Sequence, residues 1–137
     1  MTLTLAEIER AVRGSWGVDT TFATTDYLAR APLRPSRGQC GASALLVFDL
    51  LGGELLEADL ATDGVVEGVH YWNRLDGEYV DLTGDQFMAD ESLFPPHVII
   101  RPTLPVPPKA CAAYLLLRRR ALTALGHPEL AHHHLSE

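Results

Sequence analysis

The chain lacks any uninterrupted apolar stretch near the roughly 18 residues that a membrane-spanning helix needs. Its first residues, MTLTLAEIER, carry no basic region followed by an apolar run, so the expected location is the cytoplasm, with no membrane partner. Basic side chains are scarce: 11 Lys and Arg stand against 18 Asp and Glu, for a formal net charge of −7. Nucleic-acid binding is driven largely by cations neutralising phosphates, so this balance excludes a phosphate-tracking surface. The one dense basic run, Arg118 to Arg120, is expected to be a solvated helix face. Only two cysteines occur, Cys40 and Cys111, in unlike contexts, and a reducing compartment leaves them unpaired. Repeats and a second-domain boundary are also missing. A chain of 137 residues, 47% of them apolar, suffices for one core and is short for two, which gives a single domain over 1–137.

What is present is a set of local signals of an α+β chain. Thr4 and Glu7 have capping-box spacing, and Leu5, Ile8, Val12 and Trp16 recur on one helical stripe. From Gly17 to Gln39 the composition turns to Thr, Pro, Arg and Gly, with a short helix-compatible piece around Asp26 to Ala31. Cys40 to Leu51 is apolar on nearly every face and is stopped by Gly52-Gly53, which predicts a helix buried on all sides. Three strand-like segments follow, Glu54 to Ala61, Val65 to Leu75 and Glu78 to Leu82, the last two joined by the hairpin dipeptide Asp76-Gly77. After a polar stretch, His97 to Arg101 is a further strand. A Pro-rich connector then leads into a helix from Pro107 and Pro108 to about Leu125, ended by Gly126 and Pro128.

Cys40 opens the buried helix, where unpaired N–H groups and the positive end of the helix dipole favour a thiolate. Cys111 lies among Ala110, Ala112, Ala113 and Tyr114 and is expected to be a packing residue. A two-residue Asp76-Gly77 loop pairs Leu75 with Glu78, Asn73 with Val80 and Trp72 with Asp81. His70 and Asp81 then share a face within side-chain reach. A loop one residue longer or shorter would separate them. Cys40, His70 and Asp81 form a chemically complete set: nucleophile, base, and the acid that fixes the imidazole tautomer. Gln39 is a candidate oxyanion donor, and Trp72 a candidate wall for substrate or shield for the His–Asp hydrogen bond. Tyr71 and Asn73 point to the other face. Arg30, Arg34 and Arg37 make the segment before the nucleophile a candidate lid or anion site.

The segments GQCGASALLVFDLLGG, HYWNRLDG and EYVDLT resemble the YunG-like family of small bacterial proteins and, more distantly, the papain-like and transglutaminase-like cysteine superfamily. The resemblance covers about Gly38 to Phe87. It implies a minimal papain/transglutaminase-like fold, in which a buried helix starting at the nucleophile packs on an antiparallel sheet carrying the histidine and acid, here Cys40, His70 and Asp81. Papain-type enzymes place their oxyanion glutamine several residues further upstream than Gln39.

The expected activity is hydrolysis or acyl transfer at an amide or ester carbonyl of a small molecule or peptide, through a thioester on Cys40 and without a cofactor. Two alternatives stay open: a dedicated amide-forming enzyme, and a binding module with a vestigial triad. His127 and His132 to His134 invite a metal reading, but adjacent histidines diverge on any regular backbone, so a solvated tail and no metal site are expected.

Overall fold

The computed structural model describes residues 3–31, 33–101 and 108–132. The first helix, α1 (Leu5–Arg13), starts with the expected capping box: the Glu7 N–H donates to the Thr4 hydroxyl, and the Glu7 carboxylate accepts from the Thr4 N–H. Helix α1 ends before Trp16. The indole still packs against the core, its N–H donating to Ser43 Oγ at 2.9 Å. A 3-10 turn at Val18–Thr20 and a short helix, α2 (Thr25–Ala29), then lead to α3 (Cys40–Leu51). Ala42 to Val47 of α3 are buried, whereas Phe48, Leu50 and Leu51 are only partly so. The expected burial on all sides therefore holds for the first half alone, and Gly52, with φ at 76°, ends the helix.

Two hairpins build the sheet. Strand β1 (Glu54–Thr62) pairs antiparallel with β2 (Val65–Leu75), and β2 with β3 (Glu78–Val80). The far side of β1 takes two short antiparallel strands, β4 (Glu91–Leu93) along Leu60–Thr62 and β5 (His97–Ile99) along Leu55–Glu57. Strand β3 stops two residues short of the expected Leu82. The Asp81 carboxylate there accepts from the Thr83 N–H, which turns the chain out of the sheet. Strand β4 lies in the polar stretch, where no strand is expected; three residues are too few for an alternating pattern to show. Strand β5 is likewise shorter than the expected strand to Arg101.

Helix α3 is the middle layer. The sheet packs on it through Leu55, Tyr71, Leu75 and Val80, and α1 and α4 (Pro108–Ala124) pack on its other side through Ile8, Val12, Tyr114 and Leu117. Asn73 of β2 donates to the Ala44 carbonyl of α3 at 2.9 Å, a buried bond that fixes the height of the helix against the strand. On the opposite sheet face, Leu56, Ala58 and Trp72 form a separate small cluster. In the basic run on α4, Arg119 is exposed as expected, whereas Arg118 is not. Arg118 is buried and donates to the Leu130 carbonyl, and Arg120 holds Asp19 in a two-point ion pair, because α4 packs against the 3-10 turns at both ends of the chain. Among the described residues, no helix is long and apolar enough to cross a membrane.

Candidate active site

Each of the three expected residues reaches the site by a different local rule. Cys40 is the first residue of α3 and is half-buried, with Gln39 preceding it at the helix boundary. His70 lies mid-strand on β2. Asp81 follows directly after β3, and the Asp76-Gly77 turn sets the register Asn73 with Val80 and Leu75 with Glu78. His70 and Asp81 consequently fall on one face, and the ring Nε2 lies 2.7 Å from Asp81 Oδ2. Asp81 Oδ1 is held by the Thr83 N–H at 3.2 Å, so the carboxylate is oriented from both ends.

The imidazole is 1% exposed. Trp72 stacks on it at 5.2 Å between ring centroids, and Phe87 meets it edge-on at 4.7 Å. Burial by these rings disfavours the charged imidazolium, but the Asp81 carboxylate and the Cys40 thiol oppose it and raise the His70 pKa to about 9. With Nε2 taken by Asp81, the other ring nitrogen, Nδ1, lies 3.5 Å from the Gln86 amide nitrogen. The pair thus favours a protonated ring beside sulfur at neutral pH.

This raised pKa has a consequence for stability. A histidine that holds its proton more tightly when folded stabilises fully below its unfolded pKa of about 6.5, and the contribution is lost as pH rises through about 9. The urea midpoint of the wild type is therefore expected to fall between pH 6.5 and 9. Asp81→Asn, which removes the anion, should flatten that decline, and equal slopes in the two proteins would show that the ring is not held in this way.

An open cleft of about 260 Å³ lies beside Cys40, walled by Phe22, Tyr27, Gly41, Leu60, Val69 and Tyr71. Gly41 lets the Phe22 ring approach closely there, since a Cβ would sit 2.7 Å from the ring and displace it. The remaining expectations are placed as follows. Gln39 lines neither this cleft nor the closed seam that Cys40 forms with Trp72 and Asp81. Its amide donates to the Gly17 carbonyl at 2.9 Å and accepts from the Thr20 hydroxyl at 2.7 Å, tying the start of α3 to the 17–20 turn. Trp72 does not line the open cleft either; it shields the imidazole.

Arg30, Arg34 and Arg37 do not form an anion site. Arg37 is 3% exposed and makes two bonds to Glu91 at 2.5 and 2.9 Å. Arg30 pairs with Asp90, and Arg34 donates to the Phe87 carbonyl. These contacts fasten the stretch before Cys40 onto the 85–91 stretch, which opposes the lid reading as well. The tail expectation at His133 and His134 lies outside the described residues. Among those described, no group of three or more His, Cys, Asp and Glu could hold a metal.

A family profile described as YunG protein matches residues 4–126. The chain belongs to the YunG family. It is 38% identical over 55 residues to the "Uncharacterized protein YunG" of Bacillus subtilis (strain 168). That match covers 40% of this chain and 44% of the relative, so it spans under half the length of either. No solved structure matches the chain.

The sequence reading missed one residue in this YunG-family site. Gln86 is 1% exposed, and its Oε1 accepts from the Gly38 N–H at 3.0 Å and from the Tyr27 hydroxyl at 3.1 Å. Its Nε2 donates to Thr83 Oγ1 at 2.9 Å and lies 3.5 Å from His70 Nδ1. One amide therefore joins the approach to Cys40, the turn after Asp81 and the ring of His70. It stands in a 3-10 turn, Gly84–Gln86, whose sequence GDQ carries no periodicity to mark it.

Proposed function

We propose that this protein is a cysteine-dependent hydrolase or acyltransferase that acts on an amide or ester carbonyl. The observation that carries this reading is the buried His70–Asp81 pair, Nε2 to Oδ2 at 2.7 Å, with Cys40 at the start of α3 among the groups that raise the imidazole pKa. The element order, with the nucleophile opening a buried helix and the histidine and acid following on an antiparallel hairpin, agrees with the resemblance to the papain-like and transglutaminase-like superfamily. Sequence and geometry support the same three residues.

In the proposed reaction the Cys40 thiolate attacks the carbonyl carbon and a C–S bond forms. The oxyanion faces the unpaired N–H groups at the first turn of α3. As the tetrahedral centre collapses, the C–N or C–O bond breaks and the imidazolium of His70 gives its proton to the departing amine or alkoxide. Water or an amine, losing a proton to His70, then attacks the thioester and restores the thiol. Asp81 keeps Nε2 occupied, so that Nδ1 does the proton transfer. A cleft of about 260 Å³ falls below the ~300–1,000 Å³ of drug-sized ligand sites, which suits a small acyl group or a single side chain.

The test is the pH dependence of Cys40 alkylation by iodoacetamide, read by intact mass in a Cys111→Ser background. The wild-type thiol is expected to be alkylated faster at neutral pH than the thiol of His70→Ala, with the difference closing as pH rises. An ordinary, His70-independent profile in protein that also reacts normally after unfolding would sink the catalytic reading and leave a binding module.

A further inference from the structure

Strand β3 covers β2 only along Asn73, Arg74 and Leu75, whereas β1 accompanies β2 along nearly its whole length on the other side. The direction of the remaining main-chain groups follows from the turns. Asp76 and Gly77 both have positive φ, 51° and 81°, the primed two-residue turn that closes on a doubly hydrogen-bonded pair, here Leu75 with Glu78. Counting back in twos, Asn73, Tyr71 and Val69 present their N–H and C=O groups on the β3 side.

The first hairpin gives the same answer. Asp63 and Gly64 also have positive φ, 49° and 81°, so Val65 bonds towards β1. The irregularity opposite Leu60 and Ala61 leaves Glu67 as the extra residue and shifts the phase, so that Gly68 and His70 bond towards β1 and Val69 and Tyr71 point away. Among the described residues, no strand or loop pairs with the outward main chain of Val69 or Tyr71.

This free edge is also a wall of the Cys40 cleft. Glu67, Gly68, Val69 and Tyr71 line one side, and Phe22, Cys40 and Gly41 the other. Past Tyr71 the edge is closed: Asp81, Leu82 and Thr83 meet the first turn of α3 with no room for water. A segment laid along the edge therefore runs up to the thiol and stops. Its backbone would find donors and acceptors in alternation, which a single small acyl group cannot use but a chain of amides can. Among the lining residues only Glu67 carries a carboxylate, which disfavours an acidic segment at that end.

We propose that the substrate is an extended, non-acidic peptide that adds to β2 as one more strand, hydrogen-bonded to the main chain of Val69 and Tyr71. One apolar side chain enters the cleft between Phe22 and Leu60, and the reacting carbonyl is delivered to Cys40. This rests on the acyl-transfer reading of Cys40, and its geometry can be tested without turnover.

The probes are acetyl-alanyl chloromethyl ketone and acetyl-Ala-Ala-Leu-Ala chloromethyl ketone, with Cys40 modification followed by intact mass in the full chain carrying Cys111→Ser. The longer probe is expected to modify Cys40 at least tenfold faster. Replacing one amide N–H of the longer probe by an ester oxygen should erase the gain in one alternating phase and leave it in the other, because a strand uses every second N–H on one side. Equal rates for the two lengths, or equal losses in both phases, would overturn the strand proposal. The iodoacetamide profile separates the two readings. A His70-dependent thiol without a length effect removes only the peptide edge, and a phase-dependent length effect on an ordinary thiol keeps the edge and removes the catalysis.

Discussion

Cys40→Ala is expected to abolish turnover of p-nitrophenyl acetate, a minimal acyl donor, by at least on the order of 10³-fold, with the thermal midpoint little changed. A triad works as a unit: without the nucleophile neither the imidazole nor the carboxylate has a step to assist. Cys40 is half-buried at a helix start, and losing its sulfur removes little packing. His70→Ala should lower turnover to a similar extent, and the Cys40→Ala/His70→Ala double variant should be no slower than either single one. His70 is itself packed between Trp72 and Phe87, so circular dichroism of that variant must accompany the kinetics. Turnover retained in Cys40→Ala would overturn the mechanism, as would multiplicative losses in the double variant.

The largest stability effect is expected away from the thiol. Arg37→Met should destabilise the fold by about 3–5 kcal/mol, the usual consequence of removing one partner of a buried ion pair. Arg37 is 3% exposed and the Glu91 side chain 0%, and the guanidinium also donates to the Tyr27 and Gln86 carbonyls. Burial alone would push the Glu91 carboxyl up, yet the Arg37 bond, the Met88 N–H and the nearby Arg30 hold it below the ordinary carboxylate range. Its contribution is therefore present at neutral pH and is lost as pH falls through the depressed value. Urea unfolding of Arg37→Met and of Arg37→Met/Glu91→Gln decides the cause. The double variant should recover part of the loss, since no uncompensated charge remains; the same deficit in both would assign the effect to packing alone. This pair fastens the chain leading into Cys40, so Arg37→Met should also lower the rate of Cys40 alkylation.

Much of the site was legible because its rules are local. A Gly pair after an apolar run ends α3, and a two-residue primed turn between alternating strands fixes which β2 side chains face Asp81. The same arithmetic set His70, Trp72 and Asp81 on one face and Asn73 on the other, where it bonds to Ala44. The Gln39 amide turns away from the thiol's cleft, since adjacency in sequence does not set where an amide points. Its bonds to Gly17 and Thr20 come from a turn some twenty residues away. The three arginines were misread for the opposite reason. Loop guanidinia suggest a free charge, but Arg30 and Arg37 pair with Asp90 and Glu91, in a stretch with no pattern of its own, and Arg34 donates to the Phe87 carbonyl.

The sequence by itself determined the main helices, the two hairpins with their register and hence the His70–Asp81 pairing, because each depends on residues close in the chain and on two backbone periodicities. Only the tertiary structure decided that Gln86 joins three parts of the site, that Trp72 covers the imidazole, and that among the described residues nothing pairs with the outer edge of β2 from Val69 to Tyr71 beside Cys40. Those outcomes depend on which distant segments meet, and burial, ion pairing and the short reach of β3 set that together.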